Sequence, residues 1–154
     1  LGNIKYDNQL NTYIFNLSSS DNIGYYLNTT YYGSLTTQQQ NMITTSVWNN
    51  GFENDEASYS ISAKIGLITN SQWKNWSSYW NSSGGFLDAP SVLAWTMTPV
   101  TYTGSDTGVY AIPKQGDGWN LRPATTNSTT VGVLPMIRLI STTRVAQDGQ
   151  IILS

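Results

Sequence analysis

The spacing of apolar residues changes partway along this chain, and the change restricts the folds that the chain can adopt. Between residues 22 and 35 large apolar side chains recur at steps of three and four, as on one helix face (Ile23, Tyr26, Leu27, Tyr31, Leu35). Beyond residue 90 the pattern favours strands, at roughly 92–98, 107–112, 117–121, 132–140 and 143–153. Early helices and late strands predict an α+β domain in which the helices pack on a twisted antiparallel sheet.

Capping residues and glycines predict the limits of the early elements. Gly33 is expected to end or kink the first helix. Thr36 or Thr37 can cap a second helix over 37–48 that has a glutamine at capping-box distance and one buried side (Gln39, Gln40, Met42, Ile43, Val47). Residues 60–69 predict a central strand that is covered on both faces beyond Lys64. Asn70 or Ser71 is expected to cap a short helix behind that strand.

The segment VLAWTMTPV (92–100) predicts a core strand. Trp95 and Met97 are two positions apart and share one face, whereas Thr96 and Thr98 point the other way. We expect Trp95 to be buried and the strand to pair near residues 132–139. Pro99 is expected to mark the end of the strand.

The composition restricts the function. The 154 residues include neither cysteine nor histidine, which excludes disulfides, thiolate zinc sites, a cysteine nucleophile and a histidine general base. Only 10% of the residues are charged, the net charge is −2 and the seven basic residues are scattered, so no nucleic-acid surface is predicted. No apolar run is long enough for a membrane helix, so we predict no membrane contact within this stretch. We expect one extracellular domain over 1–154, starting at Leu1 as a processed or partial chain that lacks an N-terminal part.

Acidic residues are the remaining source of catalytic or metal chemistry. Glu53, Asp55 and Glu56 share one polar loop, and such a loop is usually a solvated surface. A calcium site formed by these three side chains and nearby Asn oxygens is the alternative, since Ca²⁺ takes about six to eight oxygen ligands. A glycosidase would need two carboxylates about 5–10 Å apart, and its further candidates are Asp88, Asp106 and Asp117. We predict no enzyme, no catalytic residue, no cofactor and no metal beyond this calcium candidate.

Aromatic residues are the better candidates for binding. One group falls within eight residues (Trp73, Trp76, Tyr79, Trp80) and a second within another eight (Tyr25, Tyr26, Tyr31, Tyr32). Helical spacing predicts that about half of each group is core, and that the rest face outward to stack on sugars or anchor a protein. Tyr102 and Trp119 lie in the irregular region 100–131 and complete the predicted ligand- or partner-binding set with the first group.

Four ordered segments carry a family resemblance. They are the helix FNLSSSDNIGYYLNTTYYGSLT (15–36) with QQQNMI (38–43) behind it, KIGLITNSQW (64–73), AWTMTP (94–99) and GVLPMIRL (132–139). Together they resemble a family of uncharacterised extracellular domains found in Gram-positive surface and prepilin-type proteins. The resemblance covers about residues 15–140 and implies a C-type-lectin-like fold. Leu134 stands where the family carries Arg, and the strands that usually precede the first helix are short or missing.

These observations favour a non-catalytic extracellular interaction domain on a bacterial cell surface or appendage. Its expected partner is a protein or glycan bound through an aromatic and polar surface. The alternative is a repeating, pilin-like filament subunit that contacts identical subunits, in which the C-terminal segment TTRVAQDGQIILS either pairs within its own sheet or lends a strand to a neighbour. A carboxylate-dependent glycosidase is the remote alternative. Five Asn-x-Ser/Thr sequons are present, a number near chance in so Asn-rich a chain (Asn16, Asn28, Asn75, Asn81, Asn127).

Overall fold

The computed structural model describes residues 5–8, 14–49, 59–73, 75, 93–101, 107–112, 120–122, 131–141, 143–145 and 151–153. Its first helical element is continuous but changes its winding. It comprises α1 (Ile23–Tyr25), a π-helical stretch (Tyr26–Tyr31) and α2 (Tyr32–Ser34), and we call the whole the tyrosine helix. The backbone N–H of Tyr32 donates to the carbonyl of Leu27, five residues earlier, which is the hydrogen bond of a π-helix.

The tyrosine helix begins where the side chain of Asn22 accepts a hydrogen bond from the backbone N–H of Gly24. Ile23 and Leu27 are buried in the main core, as the spacing predicts. The helix ends at Ser34, one residue after Gly33. The expected helix and its end near Gly33 are therefore confirmed, but Leu35, which is predicted on the helix face, follows the helix in extended conformation.

The second helix, α3 (Thr37–Met42), is shorter than predicted. Thr36 and Gln39 form the expected capping box, and Met42 is buried. The chain then turns extended at Ile43 and enters strand β1 (Ser46–Asn49). The predicted burial of Val47 on a helix is wrong, because this residue lies on β1 with 58% of its surface exposed.

The described strands form one four-stranded and three two-stranded sheets. The four-stranded sheet has the order β6-β5-β4-β7, from strands β4 (Leu93–Thr101), β5 (Thr107–Ile112), β6 (Asn120–Arg122) and β7 (Val131–Gly132). The pairing is antiparallel except between β4 and β7, which are parallel. The small sheets pair β1 with β2 (Ser60–Ala63), β3 (Ile65–Gly66) with β8 (Met136–Ile137), and β9 (Thr143–Val145) with β10 (Ile151–Leu153). Helices and mainly antiparallel sheets together agree with the predicted α+β class.

Strand β4 is the core strand that its sequence predicts. Trp95 and Met97 are fully buried in the main core, and β4 pairs with β7 through Leu93 and Val131. Thr96 and Thr98 are buried as well, so β4 is covered on both faces. Pro99 does not end the strand but lies within it, at a shift of register against β5 between Trp95 and Pro99. A bulge tolerates proline because it interrupts the ladder hydrogen bonds that proline cannot donate.

Three predicted long strands are broken into shorter ones. Residues 60–69 form β2 and β3 with Lys64 between them, although residues 65–69 are buried throughout as expected. Residues 132–140 divide into β7 and β8 around Pro135. At the C-terminus β9 and β10 pair with each other in antiparallel register, so the predicted strand of 143–153 is a hairpin.

Three chain segments converge where these short strands meet. Residues 42–44 pair with 138–140, because the Thr44 N–H donates to the Arg138 carbonyl and the Ile140 N–H donates to the Met42 carbonyl, both at 2.9 Å. Strand β1 then pairs with β2, and the next strand, β3, pairs with β8 just before Arg138. The convergence places Lys64 beside Ile43 and Arg138 beside Trp48.

Candidate functional site

Of the predicted binding residues, only Trp73 lies among the described residues. It is half-buried and packs on a small cluster formed by Ile68 and Ala94, with Leu134 and Met136 at its edge. Part of its ring is therefore used in packing. The remaining predicted residues lie outside the described part, both the aromatic set (Trp76, Tyr79, Trp80, Tyr102, Trp119) and the acidic candidates (Glu53, Asp55, Glu56, Asp88, Asp106, Asp117).

The helix that carries Trp73 is capped one residue before Asn70 and two residues before Ser71, the two predicted caps. Thr69 is the cap: its Oγ1 accepts from the Gln72 N–H at 3.1 Å, and the Gln72 side chain accepts from the Thr69 N–H at 2.9 Å. The predictions of Asn70 and Ser71 as caps are wrong. Asn70 is instead fully buried, and its N–H donates to Thr98 on the bulge of β4.

The Asn70 side chain occupies an unusual position. Both polar atoms of its amide are buried and make no hydrogen bond with any described residue. A buried amide without partners costs about 1–3 kcal/mol of stability. Its neighbours Thr69, Thr96 and Thr98 are also buried, so a polar layer lies between this helix and the core strand.

The tyrosine helix carries the most extensive aromatic surface in the described part of the chain. Tyr25, Tyr26, Tyr31 and Tyr32 are all half-buried, so the prediction that about half of them are core is wrong. Three of them pack against the edge of the main core, but Tyr25 is outside that cluster. Exposed hydroxyl residues lie between the two tyrosine pairs in the sequence and shortly after the second pair (Thr29, Thr30, Ser34). The sequence signal for this surface was the two tyrosine pairs, whose spacing could not show that a π-helical turn separates them.

Asn28 fixes the tyrosine helix to the sheet. Its Oδ1 accepts from the backbone N–H groups of Lys64 and Ile65 at 3.0 and 2.9 Å. Its Nδ2 donates to the carbonyls of Gly24 and Ile65 at 3.0 and 2.8 Å. One half-buried side chain thus bonds both backbone polar groups of Ile65, the first residue of β3, and it sets the tyrosine helix beside Lys64.

Lys64 joins the tyrosine helix to the convergence of strands. Its Nζ donates to the Ile43 carbonyl at 2.9 Å and lies 5.8 Å from the centre of the Tyr32 ring. This is cation–π range. The Tyr32 hydroxyl in turn donates to the Gln40 carbonyl at 3.2 Å. Lys64 therefore contacts Tyr32, and Tyr32 in turn is bonded to helix α3.

Arg138 is the second cation of this region. Its guanidinium lies 4.9 Å from the centre of the Trp48 ring. Arg138 itself is an exposed residue. Trp48 is fixed beneath it, because its Nε1–H donates to the Ala63 carbonyl at 3.0 Å and its ring covers Gly66. We call Lys64, Arg138 and the rings of Tyr32 and Trp48 the basic junction.

A separate buried group lies at the N-terminal end of the tyrosine helix. Tyr6 is fully buried, and its ring meets Trp95 edge-on at 5.5 Å between centroids. Its hydroxyl has no hydrogen-bond partner among the described residues. Burial raises the pKa of Tyr6 well above its usual value, and Tyr59 and Asp7 raise this pKa further. Asp7 is buried as well and accepts from Asn22 Nδ2 at 2.8 Å, so this group supports the core.

Neither a metal cluster nor a membrane span appears in the described ranges. They contain no group of three or more His, Cys, Asp or Glu side chains arranged to hold a metal ion. None of the helices found in those ranges has the length and hydropathy that crossing a bilayer requires.

Comparisons with known proteins return no relative from which a function could be carried over. No protein-family model matches the chain. No curated protein and no solved structure matches it either.

Proposed function

We propose that this chain is a non-catalytic interaction domain of a bacterial cell surface or appendage, acting outside the cell through the tyrosine helix and the basic junction. The proposal includes a C-type-lectin-like arrangement of its helices and sheets. The binding partner is a glycan or a protein that covers an aromatic and polar surface.

One observation carries the proposal: none of the four tyrosines of a single helix is fully buried, although three of them pack on the edge of the main core beside Ile23 and Leu27. A helix that served packing alone would gain more from burying these rings, since each full burial of a large apolar side chain contributes about 1.5–3 kcal/mol. Half-buried tyrosines present part of an apolar face at low conformational cost, which suits contact with sugars and proteins.

The rigidity of the surface supports the same function. Asn28 holds the helix against the backbone of Lys64 and Ile65 through three hydrogen bonds, and Lys64 links Tyr32 to the Ile43 carbonyl. A surface that is fixed before binding loses less entropy when a ligand covers it.

Binding of the purified chain to a glycan array and to immobilised mucin and matrix proteins tests this function. We expect the double variant Tyr25→Ala/Tyr32→Ala to lose at least about tenfold in affinity, as hot-spot tyrosines do. Thr30→Ala, an exposed change on the same helix, is the matched control and should bind as the parent does.

Two outcomes would contradict the proposal. One is a double variant that keeps the parent's affinity at an unchanged melting temperature. The other is a parent chain that binds no array while the native protein forms long regular fibres in electron micrographs, which would favour the filament subunit.

A further inference from the structure

The basic junction bears on which ligand the surface accepts. The described part of the chain has two acidic residues, Asp7 and Asp21, and both lie at the start of the tyrosine helix. Asp7 is bonded to Asn22, and Asp21 accepts from Asn8 at 3.2 Å. Tyr32 and Lys64 lie near the other end of that helix, roughly 15 Å away at 1.5 Å per residue. Among the described residues, no carboxylate forms an ion pair with Lys64 or Arg138.

Arg138 is arranged to bind an anion. Its guanidinium lies over the Trp48 ring, and the N–H donors of a guanidinium lie at the edge of its plane. Trp48 cannot turn away, because Gly66 lies against its ring and Ala63 accepts its indole N–H. A fixed guanidinium on an exposed side chain meets a carboxylate with two parallel hydrogen bonds at little loss of rotamer entropy.

Lys64 connects this cation to the tyrosines. The Ile43 carbonyl takes one of its three N–H donors, and the Tyr32 ring lies beneath the ammonium. The next residue, Thr44, donates its N–H to the Arg138 carbonyl. The Lys64 ammonium and the Arg138 backbone therefore contact neighbouring residues, Ile43 and Thr44, next to a tyrosine of the proposed binding surface.

We propose that the basic junction makes this surface selective for carboxylate-bearing glycans of the polyuronate class, with Arg138 binding the carboxylate. The inference rests on the proposed function, because the tyrosine rings and the exposed hydroxyls of Thr29, Thr30 and Ser34 complement the apolar faces and hydroxyl edges of sugars. An acidic polypeptide offers the charge without those ring faces.

Three probes separate recognition of the carboxylate from recognition of the sugar. Polygalacturonate has both, its fully methyl-esterified form has the sugar backbone without the charge, and poly-L-glutamate has the carboxylates without the sugar. We expect the parent chain to prefer polygalacturonate over both others by about tenfold, the size of one charge-assisted interaction. Its affinity for polygalacturonate should fall as salt rises.

Two variants locate the effect. Arg138→Gln should lower affinity for polygalacturonate about tenfold and leave binding of the methyl ester unchanged. Lys5→Gln removes the same charge from an exposed residue outside the junction and should change neither. Lys64→Met should also lower the affinity for polygalacturonate, but by less than Arg138→Gln does. This comparison requires that the Lys64→Met variant has the same melting temperature as the parent.

The inference is overturned if the parent does not bind polygalacturonate, if it binds the methyl ester or poly-L-glutamate equally well, or if Arg138→Gln binds polygalacturonate as the parent does. Failure of the proposed function is distinct from these results. In that case the Tyr25→Ala/Tyr32→Ala variant would keep the parent's affinity for every glycan, charged or neutral.

Discussion

Single residues decide how the short strands of this protein stay together. Strand β3 has two residues, and Gly66 is one of them because Trp48 leaves no room for a side chain. A Cβ added at Gly66 would lie 2.5 Å from Cδ2 of Trp48, far inside van der Waals contact. Trp48 also lies under Arg138 and donates its indole N–H to the Ala63 carbonyl, so the ring has little freedom to move.

Gly66→Ala should therefore lower the free energy of unfolding by about 1–3 kcal/mol, the usual cost of overpacking a core. Gly33→Ala is the matched control. No atom lies within 4 Å of the added Cβ there, and alanine in a helix is favoured by about 0.5–1 kcal/mol over glycine. Urea unfolding monitored by tryptophan fluorescence measures both. Equal effects of the two substitutions would contradict this view of Gly66.

The sequence identified several of these residues by type but not by role. Trp95 and Met97 could be assigned to the core, because their alternation on a β-rich segment admits one inward face. The contact of Trp48 with Gly66 could not be foreseen, since it joins residues on different strands. Among site residues, the tyrosine pairs were visible as a group, but Asn28, Lys64 and Arg138 gain their roles only from the convergence of three distant segments.

At the scale of elements, two helices begin with the same T-x-x-Q capping box. The first joins Thr36 and Gln39, and the second joins Thr69 and Gln72. The spacing revealed the first because Thr36 follows a glycine-containing helix end. It missed the second, because Asn70 and Ser71 are equally good caps by sequence, and the burial of Asn70 against Thr98 is a tertiary effect. Strand β1 was missed for a related reason, since its pairing with β2 overrides the helical spacing of Met42, Ile43 and Val47.

Thr36→Ala and Thr69→Ala should each lower the free energy of unfolding by about 1 kcal/mol, because each leaves a backbone N–H of the first helical turn without its acceptor. Thr37→Ala changes an exposed residue next to the first cap and should stay within about 0.5 kcal/mol of the parent. Thermal unfolding by circular dichroism is a sufficient measurement. A loss at Thr37 as large as that at Thr36 would mean that the capping box does not act as described.

At the scale of the whole molecule, one core joins the N-terminal segment to the central strand. Tyr6 lies in that core against Trp95, and the same cluster extends to Val133. Burying a tyrosine hydroxyl without a hydrogen-bond partner couples the stability of the entire fold to pH, because the tyrosinate form cannot be accommodated there.

The sign of this coupling follows from the raised pKa of Tyr6. Above about pH 10 an unfolded chain loses the Tyr6 proton while the folded chain keeps it, so the free energy of unfolding should fall as pH rises from that point. Tyr6→Phe should remove this part of the fall, up to about 1.4 kcal/mol per pH unit, and should be neutral or stabilising at pH 7 because it deletes an unpaired hydroxyl. Urea unfolding between pH 8 and about pH 11 compares the two. An identical pH slope in the variant would contradict the burial of a neutral Tyr6.

The four hydrogen bonds of Asn28 also restrict where this protein can be produced. Asn28, Thr29 and Thr30 form an acceptor sequence for N-linked sugar, and Nδ2 is the atom to which the sugar would be attached. That same atom donates to the carbonyls of Gly24 and Ile65 in the folded chain. A sugar on Nδ2 would leave that atom one N–H for these two acceptors and would add bulk where the helix meets β3. We therefore expect protein from a eukaryotic secretory pathway that modifies Asn28 to be less stable than protein from a host without that modification.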